Sequence, residues 1–332
     1  MTPVINMLSK NGNMKNCDYN SHVFSEICKG ELGSIKLLQK NPDFHWSNVT
    51  ISSTKETILH IAAQYGHIEI INYLLNQFSP KMVDVRNTDN KTPLHSAAQF
   101  GNFACVRKLV QSGADINALK RSDWTPVMLA CTKPEHNYKE IVEYLCEKGA
   151  ILNFKNKDGW TCLHLASRNA NPSILRVLCE RNIDFKSVTN NGRTALHISA
   201  LHGNLEHTEL LVSKIDINSE DSSGNTPFHE AVLGGNIDLI DFLVDKGADI
   251  LAKNKNGSSA LHLAAGNGSE NILLHLVKKY KLDLNEVNLS GHTSLHCAAR
   301  KRHTKIFELL VELGADSKIL DRSGRLAEEY LL

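Results

Sequence analysis

The clearest hydrophobic pattern in the chain begins at a Thr-Pro step. Leu94, Ala97 and Ala98 recur at intervals of one to three residues, as expected for the apolar face of a short helix that a neighbouring helix can approach closely. Thr92 and Pro93 precede this face, as an N-cap and as a first helical residue whose missing N–H costs nothing. The pattern therefore predicts a helix that begins directly after Thr92.

A second apolar stripe follows after a glycine. Gly101 can end the first helix in a left-handed conformation at little cost. Val106, Leu109 and Val110 then mark the inward face of a second helix, which Gly113 ends in turn. The stretch is thus predicted to be a pair of short helices joined by a turn.

The same helix pair recurs along the chain. The histidine that stands three residues after the capping position reappears every 32 to 36 residues, with Met128 in its place once. Self-similarity at such a period is typical of arrays in which each unit buries its apolar face against its neighbours. The histidines in this position are His60, His95, His164, His197, His229, His262 and His296.

The T-P-L-H entry and the two helices per unit resemble the ankyrin repeat. The resemblance covers the chain from about Thr54 to its end, and it implies an all-α solenoid of about eight full repeats with degenerate N- and C-terminal caps. The expected organisation is a flexible tail at 1–20, capping helices and a linker at 21–53, eight ankyrin repeats at 54–319, and a C-terminal capping half-repeat at 320–332.

Composition narrows the function classes. Lys and Arg number 37 against 36 Asp and Glu, so no bulk field favours nucleic acid or a membrane surface. Eight scattered cysteines without a C-x-x-C pair predict small core residues in a reducing compartment, and no signal peptide or transmembrane-length run is visible. We expect a cytoplasmic protein. The basic run at 300–302 with Lys305 leaves nuclear import or an anionic partner open.

The sequence contains no recognisable catalytic motif. It contains no Walker loop, no G-x-S-x-G elbow and no H-E-x-x-H pair. The seven histidines of the repeated position lie one per repeat, so they would not converge on a metal ion. The ankyrin resemblance implies instead that each one hydrogen-bonds the backbone of the adjoining loop. We expect no enzyme activity, no metal and no cofactor.

Function is then expected in exposed side chains that the repeats do not require. One such position, called the pre-cap position below, stands directly before the capping residue: Glu56, Lys91, Trp124, Trp160, Arg193, Asn225, Ser258 and His292. In the ankyrin family this position and the last residues of the first helix line a concave partner-binding surface. The first four repeats carry aromatic and cationic residues there, the types enriched in binding hot spots. The predicted surface comprises Tyr65, Lys91, Phe100, Arg121, Trp124, Lys133, Trp160 and Arg168.

Two other interpretations of this surface stay open. Trp124 and Trp160 could pack on their own loops as local structure. Aromatic residues among positive charges could also stack single-stranded nucleic acid. Asp123 and Asp158 lie beside the two tryptophans, however, and the net charge is small. We therefore expect a protein partner rather than a membrane or a nucleic acid.

Residues 119–126, 155–160 and 166–168 depart from the general ankyrin pattern and resemble one group of ankyrin repeat proteins. That resemblance implies a non-catalytic partner of alanyl-tRNA synthetase. Such a partner binds the catalytic domain of the synthetase and helps prevent serine mischarging by accepting misactivated serine on lysines. The acceptor positions of that group fall at Lys157 and Lys186, and a third falls at Arg121, which is not an acylable amine although Lys120 is adjacent.

Three hypotheses follow from these observations. The first is a protein-binding solenoid with alanyl-tRNA synthetase as its partner. The second is a generic intracellular adaptor or scaffold for another complex. The third is an acceptor whose lysines become covalently modified, which mass measurement would separate from passive binding.

Overall fold

The computed structural model describes residues 16–38, 50–51, 53–77, 80–135, 137–168 and 171–331. The chain divides into two compact units, Met1–Lys157 and Asp158–Leu332. Residues 1–15 of the predicted tail and residues 39–49 and 52 of the predicted linker lie outside the described residues.

The first unit consists of paired helices. Its helices are α1 Asn16–Lys29, α2 Leu32–Leu38, α3 Ile58–Tyr65, α4 Ile68–Gln77, α5 Pro93–Gln99, α6 Phe103–Gln111, α7 Pro126–Ala130 and α8 Tyr138–Glu147, with 3-10 turns at Pro80–Asp84 and Arg121–Asp123. The first helices of the pairs pack side by side, with α1 on α3, α3 on α5 and α5 on α7, and the second helices pack likewise, with α4 on α6 and α6 on α8.

The second unit repeats the same arrangement. Its helices are α9 Cys162–Arg168, α10 Pro172–Cys179, α11 Ala195–Leu201, α12 Leu205–Leu211, α13 Pro227–Gly234, α14 Ile237–Asp245, α15 Ala260–Asn267, α16 Glu270–Tyr280, α17 Ser294–Arg300 and α18 Thr304–Glu312. The first helices of the pairs pack in the order α9, α11, α13, α15, α17, and the final 3-10 turn, Ala327–Tyr330, packs on α17.

The pattern that predicted the helix pairs also explains their packing. In α5, Leu94, Ala97 and Ala98 are fully buried, and the small alanines let α3 and α7 approach. Thr92 caps this helix by accepting the backbone N–H of His95, and Pro93 is its first residue, as predicted. The helix pairs therefore gain their stability from the burial of one face against neighbouring pairs.

Histidines of the repeated position form hydrogen bonds that join one repeat to the next. The Nε2 atom of His60 lies 2.8 Å from the carbonyl oxygen of Lys91, and that of His95 lies 3.0 Å from the carbonyl oxygen of Trp124. Four further histidines make the same contact in the second unit: His197, His229, His262 and His296. The expectation that these histidines hydrogen-bond the adjoining loop is confirmed for these six residues.

The hydrogen bonds of these rings fix their protonation. The backbone N–H of Thr92 donates to Nδ1 of His95, so Nδ1 is unprotonated and Nε2 carries the hydrogen that it donates to the next loop. Burial lowers the pKa of His95 to about 3 and that of His60 to about 4. The histidines of both repeats are therefore neutral at pH 7.

The ends differ from the expected boundaries in one respect. Helix α1 begins at Asn16, inside the stretch that was predicted to be a flexible tail. The polar residues at its start hide it in the sequence, because they leave no apolar stripe before Val23. At the other end, Glu328 and Glu329 are exposed on the final 3-10 turn.

Candidate functional site

Two lysines and two aromatic rings form a group on the first unit, which we call the aromatic–lysine cluster: Lys91, Phe100, Lys120 and Trp124. The Nζ atom of Lys91 lies 5.4 Å from the centre of the Phe100 ring, and Nζ of Lys120 lies 5.8 Å from that of Trp124. Both separations are within the range of cation–π attraction. The cluster therefore combines apolar area with positive charge.

Tyr65 and Phe100 are the exposed aromatic residues of this region. The two residues stand at the ends of helices α3 and α5, which pack against each other. Their exposed fractions are 51% and 45%, far above those of core residues. Burial of large, water-exposed aromatic side chains against a partner is favourable and stabilises the complex.

The lysines of the cluster are partly desolvated. Burial lowers the pKa of Lys91, and the nearby positive charge of Lys120 lowers it further, while Glu56 and Asp89 act in the opposite direction. Burial also lowers the pKa of Lys120. A partner that covers these ammonium groups removes less water from them than it would from fully exposed lysines.

Trp124 is tied to its own loop as well as to the cluster. Its carbonyl oxygen accepts the backbone N–H of Lys120 at 3.0 Å and the Nε2–H of His95. Its ring is half-buried under Lys120, which belongs to the same loop. The local packing considered from the sequence thus contributes at Trp124, and Phe100 and Tyr65 are the more accessible anchors.

A polar cavity of about 650 Å³ lies beside the cluster, and the sequence did not predict it. It brings Arg121 and Lys157, two of the predicted site residues, together with Lys120. An ion pair of 2.6 Å joins Arg121 to Asp89, and the Nη1 atom of Arg86 donates to the carbonyl oxygen of Leu119. The charged lining residues are Arg86, Asp89, Asp115, Lys120, Arg121, Asp123 and Lys157.

The remaining predicted residues fall in separate places. Lys133 follows helix α7 and is half-buried. In the second unit, Trp160 is half-buried with its ring edge-on to His164 at 6.2 Å, and Arg168 is exposed at the end of α9. Lys186 is exposed on a turn in which its backbone N–H donates to Asp184.

The pre-cap position has structural partners in the second unit, although the sequence suggested that the repeats leave it free. Arg193 donates to the buried carboxylate of Glu230 at 2.8 Å and lies 3.6 Å from Asp221. Asn225 accepts a hydrogen bond from Asn254, and His292 lies 3.4 Å from Asp321. These contacts reach across repeats, so the sequence pattern within one repeat could not reveal them.

Neither a membrane-spanning helix nor a metal centre is found among the residues that the structure describes. No helix among them has the length and apolar character needed to cross a membrane. In the same ranges, no group of three or more His, Cys, Asp or Glu side chains is arranged to hold a metal ion.

Comparison with known proteins gives a uniform result. A family model described as "Ankyrin repeats (3 copies)" matches residues 24–120, 117–189, 183–254 and 251–321. These matches, with the all-helical architecture of the described residues, confirm the predicted all-α ankyrin repeat fold. Ankyrin repeats are protein-interaction domains, and no family of enzymes is indicated.

Individual relatives align with most of this chain and are longer than it. The human transient receptor potential cation channel subfamily A member 1 is 27% identical over 309 residues, which is 80% of this chain and 24% of the relative. The B-cell lymphoma 3 protein homolog of Mus musculus is 31% identical over 254 residues, 74% of this chain and 49% of the relative. The ankyrin repeat and KH domain-containing protein mask-1 of Caenorhabditis elegans is 30% identical over 257 residues, 77% of this chain and 10% of the relative. The chain thus spans at most about half the length of these relatives.

Proposed function

The chain belongs to the ankyrin repeat family, and on that premise we propose that it is a non-catalytic protein-binding module whose partner docks on the aromatic–lysine cluster of the first unit. The observation that carries the proposal is the pairing of desolvated lysines with aromatic rings, at 5.4 Å for Lys91 and Phe100 and 5.8 Å for Lys120 and Trp124. Aromatic side chains dominate binding hot spots, and partly buried cations select a partner with complementary charge. The fitting partner surface is apolar with acidic residues at its edge.

A matched pair of variants tests this docking surface. Lys91→Gln/Lys120→Gln removes both cations of the cluster, whereas Lys36→Gln removes a cation that stands 5.5 Å over Tyr73 elsewhere in the same unit. Affinity capture from cell extract with the wild type and Lys36→Gln should recover the same partner, and the double variant should lose it. Equal recovery by all three proteins would exclude the cluster as the binding surface.

The finer proposal names the partner. Residues 119–126, 155–160 and 166–168 resemble ankyrin repeat domain-containing protein 16. This resemblance supports the catalytic domain of alanyl-tRNA synthetase as the partner and the cytoplasm as the compartment. The role would be to help prevent serine mischarging. Capture beside a Trp124→Ala/Trp160→Ala variant tests this step. The synthetase should be recovered with the wild type and lost with the variant, and recovery of unrelated proteins instead would favour the generic adaptor.

Acceptance of serine would occur on exposed lysines. In that reaction the Nζ atom of Lys157 or Lys186 attacks the carbonyl carbon of seryl adenylate, an amide bond forms, AMP leaves, and the lysine releases its proton to solvent. Both side chains are exposed. Incubation with the synthetase, ATP and serine should then add one seryl group to peptides that contain either lysine. Lys157→Arg/Lys186→Arg should remove this modification while leaving capture of the synthetase intact.

A further inference from the structure

A second recess lies in the second unit. It has a volume of about 390 Å³ and is bounded by helices α15 and α17, and we call it the glycine pocket. Leu233, Leu263 and Cys297 supply apolar surface, and the charged groups of its lining are Arg300 and Lys301. No Asp or Glu occurs among the described residues that line it. The pocket therefore joins an apolar floor to a positive rim.

Gly266 keeps this pocket open. It lies within helix α15, where glycine costs about 0.5–1 kcal/mol relative to alanine. A Cβ atom built on Gly266 would meet only the Cβ of Cys297, at 3.9 Å, so neighbouring backbone does not require a glycine there. A larger side chain at this position would occupy the recess.

The polar groups of the floor are already engaged or neutral. His262 uses its Nε2–H on the carbonyl oxygen of His292, and burial lowers its pKa, so it adds no charge at pH 7. Burial raises the pKa of the Cys297 thiol to about 11, which disfavours the nucleophilic thiolate. The floor is thus a surface for an apolar side chain rather than a reactive site.

Arg300 of the rim is held in place by Tyr330 and His292. The guanidinium carbon of Arg300 lies 5.8 Å from the centre of the Tyr330 ring, and Nη1 donates to Nδ1 of His292 at 3.1 Å. Because guanidinium carries five N–H groups in a rigid plane, an arginine held on one edge still offers donors in a fixed direction. Lys301, next to it, is exposed.

We propose that the glycine pocket binds a peptide segment of a partner protein in which an apolar side chain stands next to a carboxylate. The apolar side chain would enter between Leu233 and Leu263 over Gly266, and the carboxylate would meet Arg300 and Lys301. The basic run that the sequence left unassigned thereby becomes half of a peptide site. Single-stranded nucleic acid suits the site less well, because no Phe, Tyr or Trp ring for base stacking occurs among the described residues that line the pocket, and the His262 ring is engaged with the carbonyl oxygen of His292.

Selection from a displayed library of random dodecapeptides, with the full chain as bait, tests the proposal. The enriched peptides should share a Leu- or Ile-type residue beside Asp or Glu. Fluorescence polarisation with a labelled consensus peptide should then show binding at least about tenfold weaker to Arg300→Gln/Lys301→Gln. Gly266→Leu should abolish binding while its thermal midpoint stays equal or rises, since leucine favours the helix.

The matched control is Arg302→Gln/Lys305→Gln, which removes the same charge from the same basic run at residues that do not line the pocket. It should bind the peptide like the wild type. Lys91→Gln/Lys120→Gln should do so as well, because those two lysines belong to the first unit and test only the docking surface proposed there. A consensus without an acidic residue, no consensus at all, equal loss in both basic-run variants, or tighter binding of an oligouridylate would each overturn the proposal.

Discussion

Repeats two and three, formed by α5 with α6 and α7 with α8, have the same entry but a different residue after it. Thr92 and Thr125 both accept the backbone N–H of the third following residue at 3.4 Å. That residue is His95 in one repeat and Met128 in the other, and both side chains are fully buried. Only the histidine can pair the capping N–H and the next loop. The cap and the burial therefore suffice to form the helix, and the histidine adds hydrogen bonds between repeats.

The turns before these helices differ as well. Repeat two places Asn90 in the left-handed region with φ of 57°. Repeat three places two successive residues there, Ser122 and Asp123, with φ of 63° and 61°. Asparagine and aspartate adopt this conformation more readily than serine does, so Ser122 carries the larger steric cost of the pair. The repeat that departs most from the pattern is thus also the one whose loop carries Lys120 and Trp124.

The largest effects should come from the core position that all repeats share. Leu94→Ala and Leu196→Ala remove fully buried side chains in the interior of each unit, and each should lower the free energy of unfolding by about 2–5 kcal/mol. Leu331→Ala, at a partly exposed end, should cost less than about 1 kcal/mol. Urea unfolding followed by circular dichroism measures all three. Equal losses at the interior and the end would contradict a core built from stacked units.

The histidine position should show the next largest effect. His95→Met copies repeat three into repeat two, and it leaves the N–H of Thr92 and the carbonyl of Trp124 without their ring partner. We expect a loss of about 1–3 kcal/mol. Met128→Leu, a swap of similar volume, should cost less than about 1.5 kcal/mol. Should the two variants unfold at the same urea concentration, the histidine would be no more than a space-filling residue.

Low pH should reveal the contribution of these histidines to stability, because their rings become protonated on unfolding. The pKa of His95 is about 3 and that of His60 about 4 in the folded chain, against about 6.5 in an unfolded one. The unfolded state therefore binds more protons below pH 6.5, so the stability conferred by the neutral rings is complete above pH 6.5 and declines as pH falls toward 4 and 3. Each ring contributes a slope of up to about 1.4 kcal/mol per pH unit in this window.

Unfolding measured between pH 7 and pH 4.5 tests that sign. His95→Met should lose less stability over this interval than the wild type, because one titrating ring is gone. An equal or steeper loss in the variant would mean that the fold does not hold the ring of His95 neutral.

The repeated elements could be predicted from the sequence because their causes are local. Thr92, Pro93 and Leu94 specify a helix within one repeat, and its recurrence gives the fold. The polar cavity and the pairing of Arg193 with Glu230 could not be predicted, because they depend on loops and helices from different repeats. The glycine pocket likewise needs Gly266 opposite Cys297, 31 positions further along the chain. Side chains at such distances meet only after the stacking is known.

The smallest expected effect concerns the left-handed turn of repeat three. Asp123 takes the conformation that Gly159 takes in the next repeat, where a Cβ would lie 2.6 Å from the backbone nitrogen of Asn190. Ser122, the residue before Asp123, tolerates this region less well than aspartate does, so Ser122→Gly should relieve about 1–2 kcal/mol of left-handed strain and cost about 0.5–1 kcal/mol of added chain entropy, a net gain near 0.5–1 kcal/mol. Asn90→Gly should change stability by less than about 0.5 kcal/mol, because asparagine is already tolerated there. Thermal melts of the two variants measure the contrast, and a destabilised Ser122→Gly would show that the serine side chain supports the loop more than its backbone strains it.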